Sequence, residues 1–365
     1  MMRAKESYHA VPLPEAYGQI DYAMIMDDLI DATAAFEVYK EKIRDSKVSP
    51  TWFMPTLQQN EALKSSMMEG TQATLDGVLI NQINPNENDR NLNEVENYFN
   101  ATIQGHKMLR RGDFDDEFFC TVHKTLLSGK VRKNVADIGK YRSSQNYIAE
   151  NDGTIIYTPP EADNVPTLMR NLIDFMNMPN KSLRPLVQIA VIHAQFETIH
   201  PFLDGNGRVG RILIPLFLYA RGEIEAPYFF ISDALEKDKH KYYSYLMNIR
   251  KKGEWNEWIC FFLQTVTKQC RKFIELIDKI NSLYQQHMEE ACKIIRSSSY
   301  VVNIIDVMFK YPVFNAAKMQ QEVDIPLATL NRYLNLLVDN KILFTDQKKR
   351  NKTYFYYDLL ELFRE

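Results

Sequence analysis

Residues 199–211 read Ile-His-Pro-Phe-Leu-Asp-Gly-Asn-Gly-Arg-Val-Gly-Arg, which gathers a histidine, a carboxylate, two permissive glycines and two arginines within a dozen positions. Pro201 disfavours helical geometry at His200 and helps end whatever helix precedes it, leaving the imidazole at the mouth of a loop. Gly205 and Gly207 allow backbone conformations closed to other residues. With a helix opening near Arg208, their amides form a concavity suited to an anion. Arg208 and Arg211 lie three apart on the first turn of that helix, so both can reach one bound anion. Asp204 offers a hard oxygen beside it, and Mg²⁺ commonly joins one or two carboxylates to the phosphates of a substrate. A base, a metal-binding acid, an anion hole and two arginines add up to phosphate-transfer chemistry.

The string Gly205-x-Gly207-x-x-Gly210 also matches a dinucleotide-binding fingerprint, but that fingerprint needs a strand ending just before its first glycine. Residues 186–199 read as helix instead, and five further residues intervene. A Walker loop is absent, because Gly129-Lys130 and Gly139-Lys140 are followed by Val and Tyr rather than Ser or Thr.

The elements that must position this segment are mostly helical. Apolar residues recur at helical spacing over 21–42, with Ala23, Met26, Leu29, Ile30, Thr33 and Ala34 on the expected face. Similar patterns occupy 93–109, 115–127, 164–176, 186–199, 208–220, 237–248 and 255–288. Residues 141–157 break the pattern: Ser, Asn and Ile flank an Asn151-Asp152-Gly153 turn signal ahead of Pro159-Pro160, which reads as a β-hairpin with an edge open to an extended peptide. Beyond Ser297 the order is helix 301–309, helix 319–323, helix 327–338, then strands 342–345 and 353–357, as in a winged helix-turn-helix. The basic run 348–352 falls at the expected wing tip, yet residues 297–365 hold nine basic and eight acidic side chains. A packing or dimerisation module therefore stands beside a DNA reader. Trp258, Phe261 and Phe262 read as core. So does His193, as a hydrogen-bonded interior histidine.

The run from His200 to Arg211 resembles the H-x-F-x-[D/E]-G-N-G-R-x-x-R signature of Fic-domain proteins at every defined position, and the likeness extends over roughly residues 90–270. The periodicity makes the fold mainly α, the resemblance implies a Fic-type helical core with a β-hairpin flap, and the order of elements beyond Ser297 adds the C-terminal winged helix-turn-helix domain. The resemblance also implies transfer of AMP from ATP to a hydroxyl on a target protein, with His200 as general base and Asp204 holding Mg²⁺. Gly205, Asn206, Gly207, Arg208, Val209, Gly210 and Arg211 would surround the nucleotide. Tyr242, in a segment like the family's adenine-proximal one, would touch it too. Residues 63–71 (Leu-Lys-Ser-Ser-Met-Met-Glu-Gly-Thr) resemble the family's [S/T]-x-x-x-E-[G/N] inhibitory helix. Ser65 and Glu69 would then form a brake, with Glu69 paired to Arg211. Removal of AMP, transfer of another phosphate-containing group, and a winged-helix transcription regulator with a nucleotide-sensing site stay open as alternatives.

Three units follow: 1–90 with the inhibitory motif, 91–285 as catalytic core, and 286–365 as the winged-helix-like domain. Lys+Arg 44 against Asp+Glu 47 gives a net charge of −3, too balanced for a surface devoted wholly to nucleic acid or an anionic membrane. The composition, 45% hydrophobic and 25% charged with 13 Gly and 15 Pro, excludes disordered and collagen-like classes. Cys120, Cys260, Cys270 and Cys292 show no paired spacing and read as reduced thiols, favouring the cytoplasm. No export or membrane signal is visible. The expected partner is a protein presenting Tyr, Thr or Ser, with self-modification, a homodimer and DNA contact through the C-terminal domain open.

Overall fold

The computed structural model describes residues 6–364 apart from 19, 87, 130–136, 150–152, 179–182, 296–297, 347 and 349–350. Its first helices are α1 (Tyr22–Arg44), α2 (Pro50–Met68), α3 (Leu75–Ile83), α4 (Arg90–Leu109) and α5 (Asp116–Leu126). A short antiparallel pair follows, β1 (Ile148–Ala149) and β2 (Ile155–Tyr157), then α6 (Val165–Asn177), α7 (Pro185–Ile199), α8 (Asn206–Ala220), α9 (Ser232–Lys237), α10 (Lys239–Lys252) and α11 (Trp255–Ile294). The chain closes with α12 (Ser298–Lys310), β3 (Val313–Asn315), α13 (Ala316–Glu322), α14 (Leu327–Asp339), β4 (Phe344–Thr345), β5 (Thr353–Phe355) and α15 (Tyr357–Arg364).

Local chemistry explains many helix starts. Asp21, Asp89 and Asp115 accept from backbone amides of the first turns of α1, α4 and α5, as side-chain caps do. Pro50 and Pro185 open α2 and α7, where a missing N–H is harmless. Every residue of α7 from Leu186 to Ile199 is buried, so this helix is the central post around which α6, α8, α10 and α11 pack. Fully burying each of its Val, Leu, Ile and Phe side chains contributes about 1.5–3 kcal/mol.

The expected helices are present with shifted limits. On α1 the buried face is Ile25, Leu29, Ala32, Phe36 and Tyr39, while Met26 and Ile30 are exposed; apolar residues on both sides of this helix made the face ambiguous. The 237–248 segment is broken at Asp238 into α9 and α10. Helix α11 runs 40 residues without interruption. The hairpin is shorter than expected, and Asn151-Asp152 of its turn lie outside the described residues.

After α11, the three-stranded antiparallel sheet has the order β3-β5-β4, and α13 and α14 are joined through the expected 324–326 turn. Strand β3 and helix α15 were not anticipated. This unit is not a separate bead. Tyr356 Oη and Nδ1 of His287 are 2.7 Å apart, Asn60 donates to the carbonyl of Phe363 at 3.1 Å, and Arg364 holds Asp76 with both carboxylate oxygens within 2.6 Å. The expected boundaries at 90/91 and 285/286 fall within α4 and α11, and one continuous apolar core joins all three segments. No described helix is long and apolar enough to cross a membrane, and the four cysteines are free thiols.

Candidate active site

The turn between α7 and α8 is a sequence of conformational stops. His200 takes up left-handed backbone geometry (φ 52°) at the end of α7, and Gly205 does so (φ 79°) immediately before α8. At Gly205 that φ favours glycine. Asn206 folds its amide back onto Phe202, accepting from its N–H and donating to its carbonyl, both at 2.8 Å. His123 stacks on the Phe202 ring at 3.8 Å between centroids. Its Nδ1 accepts from the Gly139 amide, so Nε2–H donates to the Asp204 carbonyl at 3.0 Å. Burial lowers His123 to about 4, which keeps it in this neutral tautomer.

Helix ends leave their last four carbonyls unpaired. For α7 these are residues 197–200, and three side chains distant in sequence satisfy them. Arg250 donates to Glu197 at 2.9 Å, Tyr157 Oη to Thr198 at 2.7 Å, and Arg142 to Ile199 at 3.5 Å and His200 at 3.0 Å. Arg142 is 2% exposed and also donates to Pro160. Arg250 covers the Tyr157 ring at 3.9 Å. Two cations at a helix C-terminus also oppose its dipole. Sequence reasoning missed all three residues, since nothing in their local spacing marks them. Arg142→Met should therefore lower stability by about 3 kcal/mol, a fall of about 4 °C in Tm. An unchanged thermal melt would contradict this capping role.

His200 lies with Nδ1 buried and 17% of its side chain exposed. Burial first, then Arg250 and Arg142, lower it to about 3, so the imidazole is neutral at physiological pH. Across the turn, no side chain caps the N-terminus of α8, and Arg208 adds a guanidinium that is 1% exposed. Nε and Nη1 of Arg208 make no hydrogen bond among the described residues, while Nη2 lies 3.6 Å from Asp204 Oδ1. Buried donors without acceptors are costly, and beside uncapped amides they suit an anion of several oxygens.

The α8 N-terminus is covered by α2. Arg211 donates from Nε to Ser65 Oγ at 2.8 Å and from Nη2 to the Ser65 carbonyl at 3.0 Å and Glu69 Oε1 at 2.7 Å. Burial opposes ionisation of Glu69, but Arg211, Arg208 and Lys239 outweigh it and hold the carboxyl below its usual range. Its Oε1 rests against Gly207, where an added Cβ would come within 2.5 Å. A carboxylate oxygen thus lies on the helix terminus at the approach an anion would use.

The remaining expected residues divide. Gly205 and Gly207 border the cradle. The Asn206 side chain is spent on Phe202, so only its backbone is left for an anion. Val209 and Gly210 point into the core rather than to the cradle: the Val209 amide bonds Gly205, and Gly210 packs against Glu197. Tyr242 is 1% exposed, and its hydroxyl donates to Nε2 of His193 at 2.9 Å. It is a core residue here, not an exposed nucleotide contact. Tyr243 is 42% exposed and feels the charges of Glu69 and Arg211. His193 also donates from Nδ1 to the Gly210 carbonyl at 3.0 Å and is interior, as read from sequence. Trp258, Phe261 and Phe262 are buried.

For a divalent ion, no group of three or more His, Cys, Asp or Glu side chains converges among the described residues. Asp204 alone adjoins the cradle, its Oδ1 accepting from the Gly205 amide at 2.7 Å. One carboxylate beside an anion site fits Mg²⁺ carried on phosphates rather than an all-protein cage.

Two family models match the chain: Fic/DOC family N-terminal over residues 26–107 and Fic/DOC family over 113–218. Among curated relatives, the protein adenylyltransferase Fic of Aedes aegypti is 26% identical over 212 residues, 56% of this chain and 38% of its own. A probable protein adenylyltransferase of Aquifex aeolicus is 39% identical over 66 residues, covering 18% of this chain and 20% of the relative. The chain thus spans well under half the length of these relatives. The solved structure of a Fic family protein from Desulfovibrio desulfuricans is similar with a TM-score of 0.59 at 20% identity, over 96% of this chain and 98% of that one. Fic-1 from C. elegans gives 0.51 at 18% identity, over 72% and 74%. At these identities the likeness to solved structures is one of fold, and the first of them includes the C-terminal unit.

Proposed function

This chain belongs to the Fic/DOC family, and on that premise we propose that it is a protein adenylyltransferase restrained by its own α2. The observation that carries the reading is the buried Arg208, with two nitrogens lacking acceptors, at an uncapped helix N-terminus beside a neutral histidine. ATP would lay its phosphates on the amides of Asn206, Gly207 and Arg208. Arg208 and Arg211 would neutralise the departing pyrophosphate. A hydroxyl of the target attacks the α-phosphorus: its O–P bond forms, the bond to the β-phosphate oxygen breaks, and His200 Nε2 takes the proton. Asp204 would hold Mg²⁺ against the phosphates, where the ion supplies charge neutralisation.

With Glu69 on Gly207 and Ser65 and Glu69 engaging Arg211, α2 occupies both the phosphate approach and one of its cations. This is the basis for reading Glu69 as the brake. The β1–β2 edge is suited to an extended segment of the target, and the hydrogen bond from Asn60 of α2 to the Phe363 carbonyl supports reading the C-terminal unit as a support for the brake. The function is tested by incubating Glu69→Gly protein with Mg²⁺, ATP and cell lysate. Mass spectrometry should find Ser, Thr or Tyr side chains heavier by one AMP. Their absence, from the lysate and from the protein itself, would reject it.

A further inference from the structure

Helix α7 buries a carboxyl one turn before His200. The side chain of Glu197 is 7% exposed, and its Oε1 makes no hydrogen bond among the described residues. That oxygen fills the notch left by Gly210, where an added Cβ would meet it at 2.2 Å. The other oxygen, Oε2, lies 4.0 Å from the buried Nδ1 of His200, whose only other hydrogen bond among the described residues is a poorly formed one to the Glu197 carbonyl. A buried carboxyl with one oxygen unpartnered and a buried ring nitrogen with a poorly formed hydrogen bond therefore lie one helical turn apart, an arrangement that calls for an explanation. Packing does not supply one, since an apolar side chain would fill the place at lower cost.

We propose that Glu197 is a positioning residue for AMP transfer: its carboxylate accepts a hydrogen bond from Nδ1–H of His200, leaving the Nε2 lone pair free for the acceptor hydroxyl. The proposal rests on the adenylyltransferase reading of the site. It needs the resting separation to close by about 1 Å. When Nε2 takes the hydroxyl proton, the ring becomes an imidazolium and Glu197 stabilises its charge. No proton passes to Glu197, and the ring releases its proton to water after pyrophosphate leaves.

The charged and titratable groups facing this corner are Arg142, Arg250, Tyr242 and Tyr243, with Glu69 just past the end of α2 and Arg211 from α8. Burial raises Glu197 to about 7, against the pull of Arg211, so its carboxylate form is accessible near neutrality. The rival use of Glu197 is to hold Arg211, whose Nη1 also makes no hydrogen bond among the described residues. The two uses have different kinetic signatures: loss of base alignment lowers kcat, whereas loss of an arginine support weakens ATP binding.

In the Glu69→Gly background, kcat and KM for ATP are measured for Glu197→Gln and Glu197→Leu, with thermal melts as a check on folding. Glutamine keeps an acceptor for Nδ1–H but not the charge. It should reduce kcat about 10-fold, and leucine about 100-fold, with KM for ATP within about twofold. A raised KM with kcat retained would assign Glu197 to Arg211 and overturn the proposal, as would unchanged kinetics. Ring ¹⁵N spectra of His200 give a second readout that needs no turnover. The Nδ1–H tautomer should dominate in the Glu69→Gly parent and give way to a mixture in its Glu197→Leu variant, and identical spectra would overturn the proposal. A parent that transfers no AMP would sink the enzymatic reading and leave Glu197 to be judged by these spectra.

Discussion

Replacing His200 with alanine in the Glu69→Gly protein should reduce AMP transfer about 100- to 10,000-fold, the range typical of losing a positioned general base. The loss should fall on kcat, because the proposed role of the imidazole is proton transfer, while the uncapped amides and Arg208 carry the phosphates. KM for ATP should stay within about twofold. The structure also argues that the substitution is tolerated. Nδ1 of His200 has only a poorly formed hydrogen bond, to the Glu197 carbonyl, and the contacts that hold the residue's backbone come from Arg142 to its carbonyl and from its own amide to Phe196. Those survive in alanine, although the left-handed φ of 52° adds about 1 kcal/mol of strain that histidine already shares. Undiminished kcat in the His200→Ala enzyme would remove this residue from the chemistry.

The second large effect runs in the opposite direction. Glu69→Gly should raise AMP transfer over the unaltered protein by about 10- to 100-fold, the equivalent of a charge-assisted hydrogen bond to Arg211 of about 1.5–3 kcal/mol. Two consequences of the substitution reinforce each other. Arg211 loses its carboxylate but keeps Ser65, so the guanidinium stays near its place. Gly207 also loses the oxygen that lies against it, which opens the helix terminus. Arg211 is fully buried, and a buried cation deprived of its anion destabilises the protein. The variant should therefore melt lower than the parent without nucleotide, and Mg²⁺ with ATP should raise its Tm by more than it raises the parent's. Equal transfer rates, or equal nucleotide-induced shifts, would remove the brake from this account.

What the sequence disclosed was local chemistry. The residues of 199–211 stand next to one another along the chain, so a short-range reading of Pro201, Gly205 and the arginines placed the turn and the helix start to within two residues. Glu69 and Ser65 were accessible only because their spacing resembles a known motif; their meeting with Arg211, 142 and 146 positions away, is a tertiary fact. Asn206 and Tyr242 show the limit of motif resemblance as a guide to side chains. The resemblance makes each a nucleotide contact, yet the fold turns the side chain of the first onto Phe202 and the second onto His193. Arg142, Tyr157 and Arg250 were invisible because they act on backbone carbonyls of a helix far away in sequence. Glu197 did leave a signal, a lone acid in the stretch of residues 185–199 just before His200, and a charge within an apolar helix is worth pursuing wherever it adjoins a reactive group.

The proposed function has the α7–α8 turn transfer the adenylyl group of ATP, with His200 as base and Glu69 as restraint. Its most direct test supplies Mg²⁺ and ATP labelled at either the α- or the γ-phosphate to the Glu69→Gly protein and to the same protein carrying His200→Ala, with label bound to protein as the readout. Stable labelling is expected from the α position alone, and only in the protein that keeps His200. Label arriving from the γ position, or equal α-labelling in both proteins, would contradict the proposed function.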